Sequence, residues 1–245
     1  MLLTTLIVGL LGATLMFCGD MMLYYDKNDF EQSGSLEPIV AIMKTLPRKR
    51  VMLGGWIGPV AAFLYCIGFY HIVLIAEESC HTLAFAAFLL CCLGIIAGGA
   101  YHSHCAYLGL LGQDEQRKDL EIALDYFQKL PLILYIGEGL GLLILLFLLA
   151  TGKTAFPAWV AGLSPGVLFL LRPLARKLPK GLHMILYGGF TNVIFIVYYL
   201  DRILSGSDPF EVSERCSSIH SVTKTIKASW PCTGCCVTGG NSAIY

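Results

Sequence analysis

The chain has 245 residues, 56% of them hydrophobic and only 14% charged, with zero formal net charge and a mean hydropathy of +0.69. A soluble domain carries about a quarter charged residues, so this composition excludes an ordinary soluble globule and points to an integral membrane protein. Zero net charge leaves no basic footprint for nucleic acid, and no Gly-rich phosphate loop is present.

A bilayer core about 30 Å thick needs about 20 apolar residues at 1.5 Å each. Six segments predict spans: residues 2–24, 51–76, 82–111, 130–150, 156–174 and 182–204. The expected fold is therefore an all-α bundle of six transmembrane helices over residues 1–204, followed by a loosely ordered tail over 205–245. The first segment has no basic residue ahead of it and no small-x-small cleavage site, so it reads as a retained helix. Near its loop end stands Asp20, on a stripe with Gly9, Ala13 and Met16 that suits an inward, helix-packing face. Residues 37–46 suggest a short amphipathic helix along the membrane surface.

The second span carries Gly54 and Gly58 in GxxxG spacing, with Trp56 between them at the headgroup level. Tyr65 falls in mid-membrane and needs a partner for its hydroxyl, while His71, toward the far end, is expected to face water. The third span contains GGAYHSHCAYLG. Residues two apart lie about 200° apart on a helix, so His102 and His104 cannot chelate one ion together. His102 shares its face with Gly94, Gly98, Ala106 and Gly109 and is the inward candidate; His104 reads as a packing or interface residue.

In the fourth span Glu138 is the ninth residue of an apolar run, about 12 Å inside. No Lys or Arg shares that helix interior, so the carboxyl must be protonated, bonded across to another helix, or facing water. Gly137, Gly139 and Gly141 would allow a neighbour to approach closely. Ser164-Pro165-Gly166 interrupts the fifth span, and Asn192 sits centrally in the sixth. Asp201 and Arg202 can pair with each other or with headgroups. Cys18, Cys66, Cys80, Cys91, Cys92 and Cys105 lie in or beside apolar runs and behave as small hydrophobes. The tail holds PCTGCC, with Cys232, Cys235 and Cys236; Cys216 and His220 are the other groups near enough in sequence to join a metal or redox site. No metal is assigned, and the sequence names no cofactor or oligomeric state.

With six spans, twelve Lys and Arg fall on the side of loops 1–2, 3–4 and 5–6, against five on the other. The positive-inside rule then puts both termini outside the cytoplasm. Helix direction brings Asp20, Trp56, His102 and Glu138 into the cytoplasmic half, with Tyr65 and Asn192 just above, which suggests a polar pocket opening inward.

The runs GGWIGPVAAFLYCIGFYHI and AYHSHCAYLG resemble bacterial multi-pass membrane proteins grouped as a family of unknown function, a likeness over the six spans but not the tail. It implies a membrane fold and carries no activity. The HxxxH pair of ceramidase-like hydrolases and the rhomboid GxSxG nucleophile are both absent. Three classes of function follow. In the first, an intramembrane enzyme acts on a lipid or other apolar or amphiphilic small molecule; Glu138 or Asp20 is its acid or base, His102 the partner, and Trp56, Tyr65 and Asn192 bind the ligand. The second is a proton-coupled or ligand-binding transporter, and the third a non-catalytic structural subunit.

Overall fold

The computed structural model describes residues 1–25, 37–113, 120–175, 177–179, 182–183, 185–186 and 189–205. The tail cysteines Cys216, Cys232, Cys235 and Cys236, with His220, lie outside the described residues. Within them the regular structure is helical, joined at one point by an isolated antiparallel bridge between Ala76 and Thr154. The helices are α1 (Leu2–Tyr24), α2 (Glu37–Thr45), α3 (Arg48–Phe69), α4 (His71–Ile75), α5 (His81–Gly112), α6 (Leu120–Ala150), α7 (Pro165–Leu168), α8 (Arg172–Ala175) and α9 (Phe190–Leu204).

Four stretches are long and apolar enough to cross a membrane: Leu2–Tyr24, Arg48–Ile75, Glu78–Gly112 and Ile122–Ala150. They correspond to the first four expected spans. The fifth and sixth do not form as single long helices among the described residues. Over the fifth, a 3-10 turn (Ala158–Leu163) gives way to α7, a second 3-10 turn (Phe169–Leu171) and α8. The cause is local. Pro165 offers no N–H and pushes Ser164 into an extended conformation, from which its hydroxyl donates to the Ala161 carbonyl at 2.7 Å. Pro165 then serves as the first residue of α7. Of the sixth, α9 is a continuous helix of 15 residues, about 22 Å long.

The packing is inverted relative to a soluble bundle. Large side chains such as Leu11, Phe63, Leu93, Ile96, Ile136 and Phe147 are exposed, whereas Gly9, Gly12, Ala13, Gly54, Gly58 and Gly94 are buried. In water that distribution would be costly; in hydrocarbon the outward side chains meet acyl tails and the small residues let backbones touch. α1 packs on α3, α3 on α5 and α5 on α6, while α9 packs on α1. The broken segment at 158–168 touches both α6 and α9 and so completes a ring of elements around a shared interior.

Each end is tied by polar backbone contacts. At the end where α1 stops and α3 starts, Arg50 donates to the carbonyls of Met21, Met22 and Tyr25, at 2.8–2.9 Å. These carbonyls close the last turn of α1, where only that of Met21 also accepts the Tyr25 N–H among the described residues, and a cation there complements the helix dipole. α2 forms as expected, but its apolar side is covered by protein: Val40 and Met43 are buried, and Met43 packs on Gly109 of α5. At the opposite end Gly152 takes φ +68°, and Lys153 N–H reaches back to the Leu148 carbonyl at 2.9 Å, a glycine-terminated stop for α6.

α5 and α6 approach closely at Gly94. A Cβ placed on Gly94 would fall 2.5 Å from the backbone nitrogen of Glu138, whereas one placed on Gly139 meets nothing within 4 Å. Gly94→Ala therefore lowers the melting temperature in detergent, by the equivalent of about 1–3 kcal/mol of overpacking. Gly139→Ala leaves it unchanged or raises it by the equivalent of up to about 1 kcal/mol, the helix preference for Ala.

Candidate functional site

Four of the six residues singled out in the sequence meet in one buried hydrogen-bonded chain. Asp20 on α1, Tyr65 on α3, His102 on α5 and Asn192 on α9 are 8, 0, 7 and 7% exposed. The Tyr65 hydroxyl donates to Asn192 Oδ1 at 2.9 Å, and Asn192 Nδ2 donates to Asp20 Oδ2 at 2.7 Å. His102 Nε2 lies 2.9 Å from the other carboxylate oxygen, Asp20 Oδ1.

Helix direction explains the convergence. Side chains lean toward the N-terminus of their own helix. α1 ends where α3 begins, so Asp20 leans into the bundle from one side, and Tyr65, seventeen residues into α3, leans back toward it. The imidazole is admitted by missing side chains. A Cβ on Gly58 would collide with His102 Cβ, and one on Gly19 would come within 3.3 Å of His102 Cε1 and Nδ1. Tyr24, one turn beyond Asp20 on the same helix, is buried as well.

A carboxylate at Asp20 accepts from both Asn192 and His102, so His102 carries its hydrogen on Nε2. In the neutral ring this leaves the lone pair on Nδ1, a buried atom with no hydrogen-bond partner among the described residues. An imidazole held at one nitrogen by a carboxylate, with the other nitrogen free, is equipped to take up and release a proton.

The other two candidates stand apart. Glu138 is 6% exposed and its Oε1 has no partner among the described residues, yet it does not join the Asp20 chain. It packs against Gly94, eight residues from His102 along α5, or about 12 Å. The carboxylates therefore occupy two levels and not one layer. Trp56 is 64% exposed. The packed face of α3 runs through Gly54, Gly55 and Gly58, and Trp56 lies about 100–200° away from each of them. It faces outward and does not line the interior.

His104 packs as expected: Nδ1 donates to the Ala100 carbonyl at 2.6 Å, and the ring sits 4.4 Å from that of Phe127. His71 differs from expectation. It is fully buried, with Nδ1 2.7 Å from the Gly68 carbonyl and Nε2 3.0 Å from the Tyr198 hydroxyl. Arg202 is buried too. It pairs with Asp201 and lies over the rings of Phe156 and Trp159, at 5.2 and 5.0 Å. Tyr198 and Tyr199 escaped the sequence reading, because two adjacent tyrosines in an apolar run look like an interfacial belt. His71 and Tyr198, each near its helix end, would have been paired only by knowing that α4 and α9 finish side by side.

The sequence pattern of a family of unknown function, DUF6796, matches residues 2–200. The match ends ahead of the cysteine-containing tail. No curated protein matches the chain, and neither does any solved structure.

Substitutions in the chain of four separate by burial and charge. Asp20→Ala strands two buried donors and costs about 3–5 kcal/mol, Tyr65→Phe about 1 kcal/mol, and Trp56→Phe less than about 0.5 kcal/mol. Chemical denaturation in mixed micelles reads this ranking.

Proposed function

Given that the chain belongs to DUF6796, a family of unknown function, we propose from the buried chain of four that it is an intramembrane acid–base protein. It acts on a lipid or another apolar or amphiphilic small molecule. His102 moves the proton at Nδ1, Asp20 and Asn192 are positioning residues, and Tyr65 holds Asn192. The observation that carries this reading is the arrangement of His102: Nε2 engaged by Asp20, Nδ1 buried and without a partner among the described residues. A histidine serving only to join helices would use both nitrogens, as His71 does.

In this reading the interrupted segment at 156–174 and the segment ending in α9 complete six passes. The Arg48-Lys49-Arg50 end faces the cytoplasm and both termini lie outside it. A topology reporter fused after Leu204 then reads as extracytoplasmic; a cytoplasmic signal overturns the orientation.

A second reading, proton-coupled or ligand-binding transport, is supported by the broken stretch at 158–175 lying against α6, the helix that bears Glu138. Interrupted helices commonly line binding sites in transporters.

The acid–base reading is tested with His102→Gln, which keeps an N–H donor near Asp20 but cannot exchange a proton as imidazole does. The variant is expected to elute and melt close to wild type. Cells making the wild-type protein should show a change in membrane-lipid composition by mass spectrometry that the variant abolishes. Identical lipid profiles for wild type, variant and empty vector would leave the chain of four as a structural strut.

A further inference from the structure

Beyond the chain of four, the interior holds more proton-exchanging groups than a helix-packing role requires. His102 Nδ1, Glu138 Oε1 and the Tyr199 hydroxyl are all buried without a hydrogen-bond partner among the described residues. A buried polar atom left unpaired costs on the order of 1–3 kcal/mol, and internal water is its usual partner. The three atoms come from three elements that face one interior, α5, α6 and α9, and they stand at successive depths.

Those depths follow from the glycine contacts. His102 is at the level of Gly58 on α3. Glu138 is at the level of Gly94, eight residues farther along α5 toward the opposite end. The Tyr199 hydroxyl lies where Gly68 of α3 meets Gly9 of α1. His71 follows, with its Nε2 bonded to Tyr198 and its ring 5.6 Å from that of Tyr199. From Gly58 to His71 is thirteen residues, or about 20 Å, most of the thickness of a bilayer core. Tyr65 links the levels: it is bonded to Asn192 on one side, and on the other its ring lies 5.3 Å from that of Phe195, which stacks on Tyr199 at 6.2 Å.

We propose that this ladder of groups conducts protons between the two ends of the bundle, with Glu138 and Tyr199 as the link between the Asp20–His102 pair and the His71–Tyr198 pair. A proton accepted at His102 Nδ1 releases one from Nε2 to Asp20. Water carries it on to Glu138 Oε1, whose carboxyl passes a proton to the Tyr199 oxygen as the Tyr199 hydrogen moves through water to the Tyr198 oxygen. The Tyr198 hydrogen passes to His71 Nε2, and the ring then gives up its Nδ1 hydrogen to water at the far end as it leaves the Gly68 carbonyl. One proton enters and one leaves, no bond other than O–H and N–H changes, and each group is restored when the hydrogens reorient. Asn192 takes no part in the transfer; its amide holds Asp20 and Tyr65 in place. Proton movement needs no substrate, so this inference goes beyond both readings above and fails separately from them.

The test uses the full chain in phosphatidylcholine–phosphatidylglycerol vesicles loaded with pyranine, with a potassium gradient and valinomycin setting the potential. Wild-type vesicles are expected to change internal pH well above the rate of protein-free vesicles. Glu138→Gln and Tyr199→Phe, both near-isosteric, are expected to slow that rate by about a hundredfold, the lower end of what a positioned acid–base group contributes. Unchanged elution and melting of the variants ties the loss to the missing proton carrier. A wild-type rate equal to that of empty vesicles overturns the proposal, as does an undiminished rate in both variants. Neither result touches the lipid-composition test of His102.

Discussion

A carboxylate buried among apolar helices has to be matched, and Asp20 is matched at both of its oxygens. Leaving such a charge unpaired in hydrocarbon costs several kcal/mol, more than any single helix contact returns. Asn192 and His102 each supply a donor, at 2.7 and 2.9 Å. Because these partners belong to different helices, the requirement fixes how α1, α5 and α9 stand relative to one another. Tyr65 brings α3 into the same arrangement through Asn192.

Short distances between side chains depend on short distances between backbones. Gly58 makes room for His102, Gly94 for the backbone of Glu138, and Gly9 for the ring of Tyr199. In a membrane the outward surface gains nothing by shedding water, so association depends on close contact and on hydrogen bonds between helices. The glycines and the polar chain therefore act together. The first bring the helices near enough, and the second makes one rotation of each helix better than its neighbours.

How much of this could be read in advance depends on the range of the signal. Length and apolarity placed the first four spans, because a helix that is hydrophobic all round has few other homes. The stripe arguments put Asp20 and His102 on inward faces for the right reason, since small residues at i±4 mark the packed side. Those arguments could not see which helices touch. Trp56 was placed by depth alone, and depth says nothing about rotation; the glycine face of α3 turns it outward. Glu138 was assigned to the same layer as Asp20 by counting from the loop, while its contact with Gly94 puts it farther in. The fifth segment carried its own warning in Ser164-Pro165-Gly166, because proline breaks a helix locally and so is visible locally. His71 and Tyr198 are 127 residues apart in the chain, and nothing short of the fold brings them together.

Two histidines in the interior stand in contrasting environments. His71 uses both nitrogens, one on a backbone carbonyl and one on a tyrosine hydroxyl, and packs against aromatic rings. His102 uses one, and its second nitrogen faces the spot where Gly19 carries no side chain. Exchanging the imidazole for a side chain without a second ring nitrogen would remove the unpartnered atom. Stability alone favours such a replacement, because an unsatisfied buried polar atom is a standing cost. The same holds for Glu138, where glutamine or leucine would span the position without the penalty of a buried carboxyl. Groups that a purely structural role could exchange for cheaper ones are the groups on which the proposed proton transfer rests.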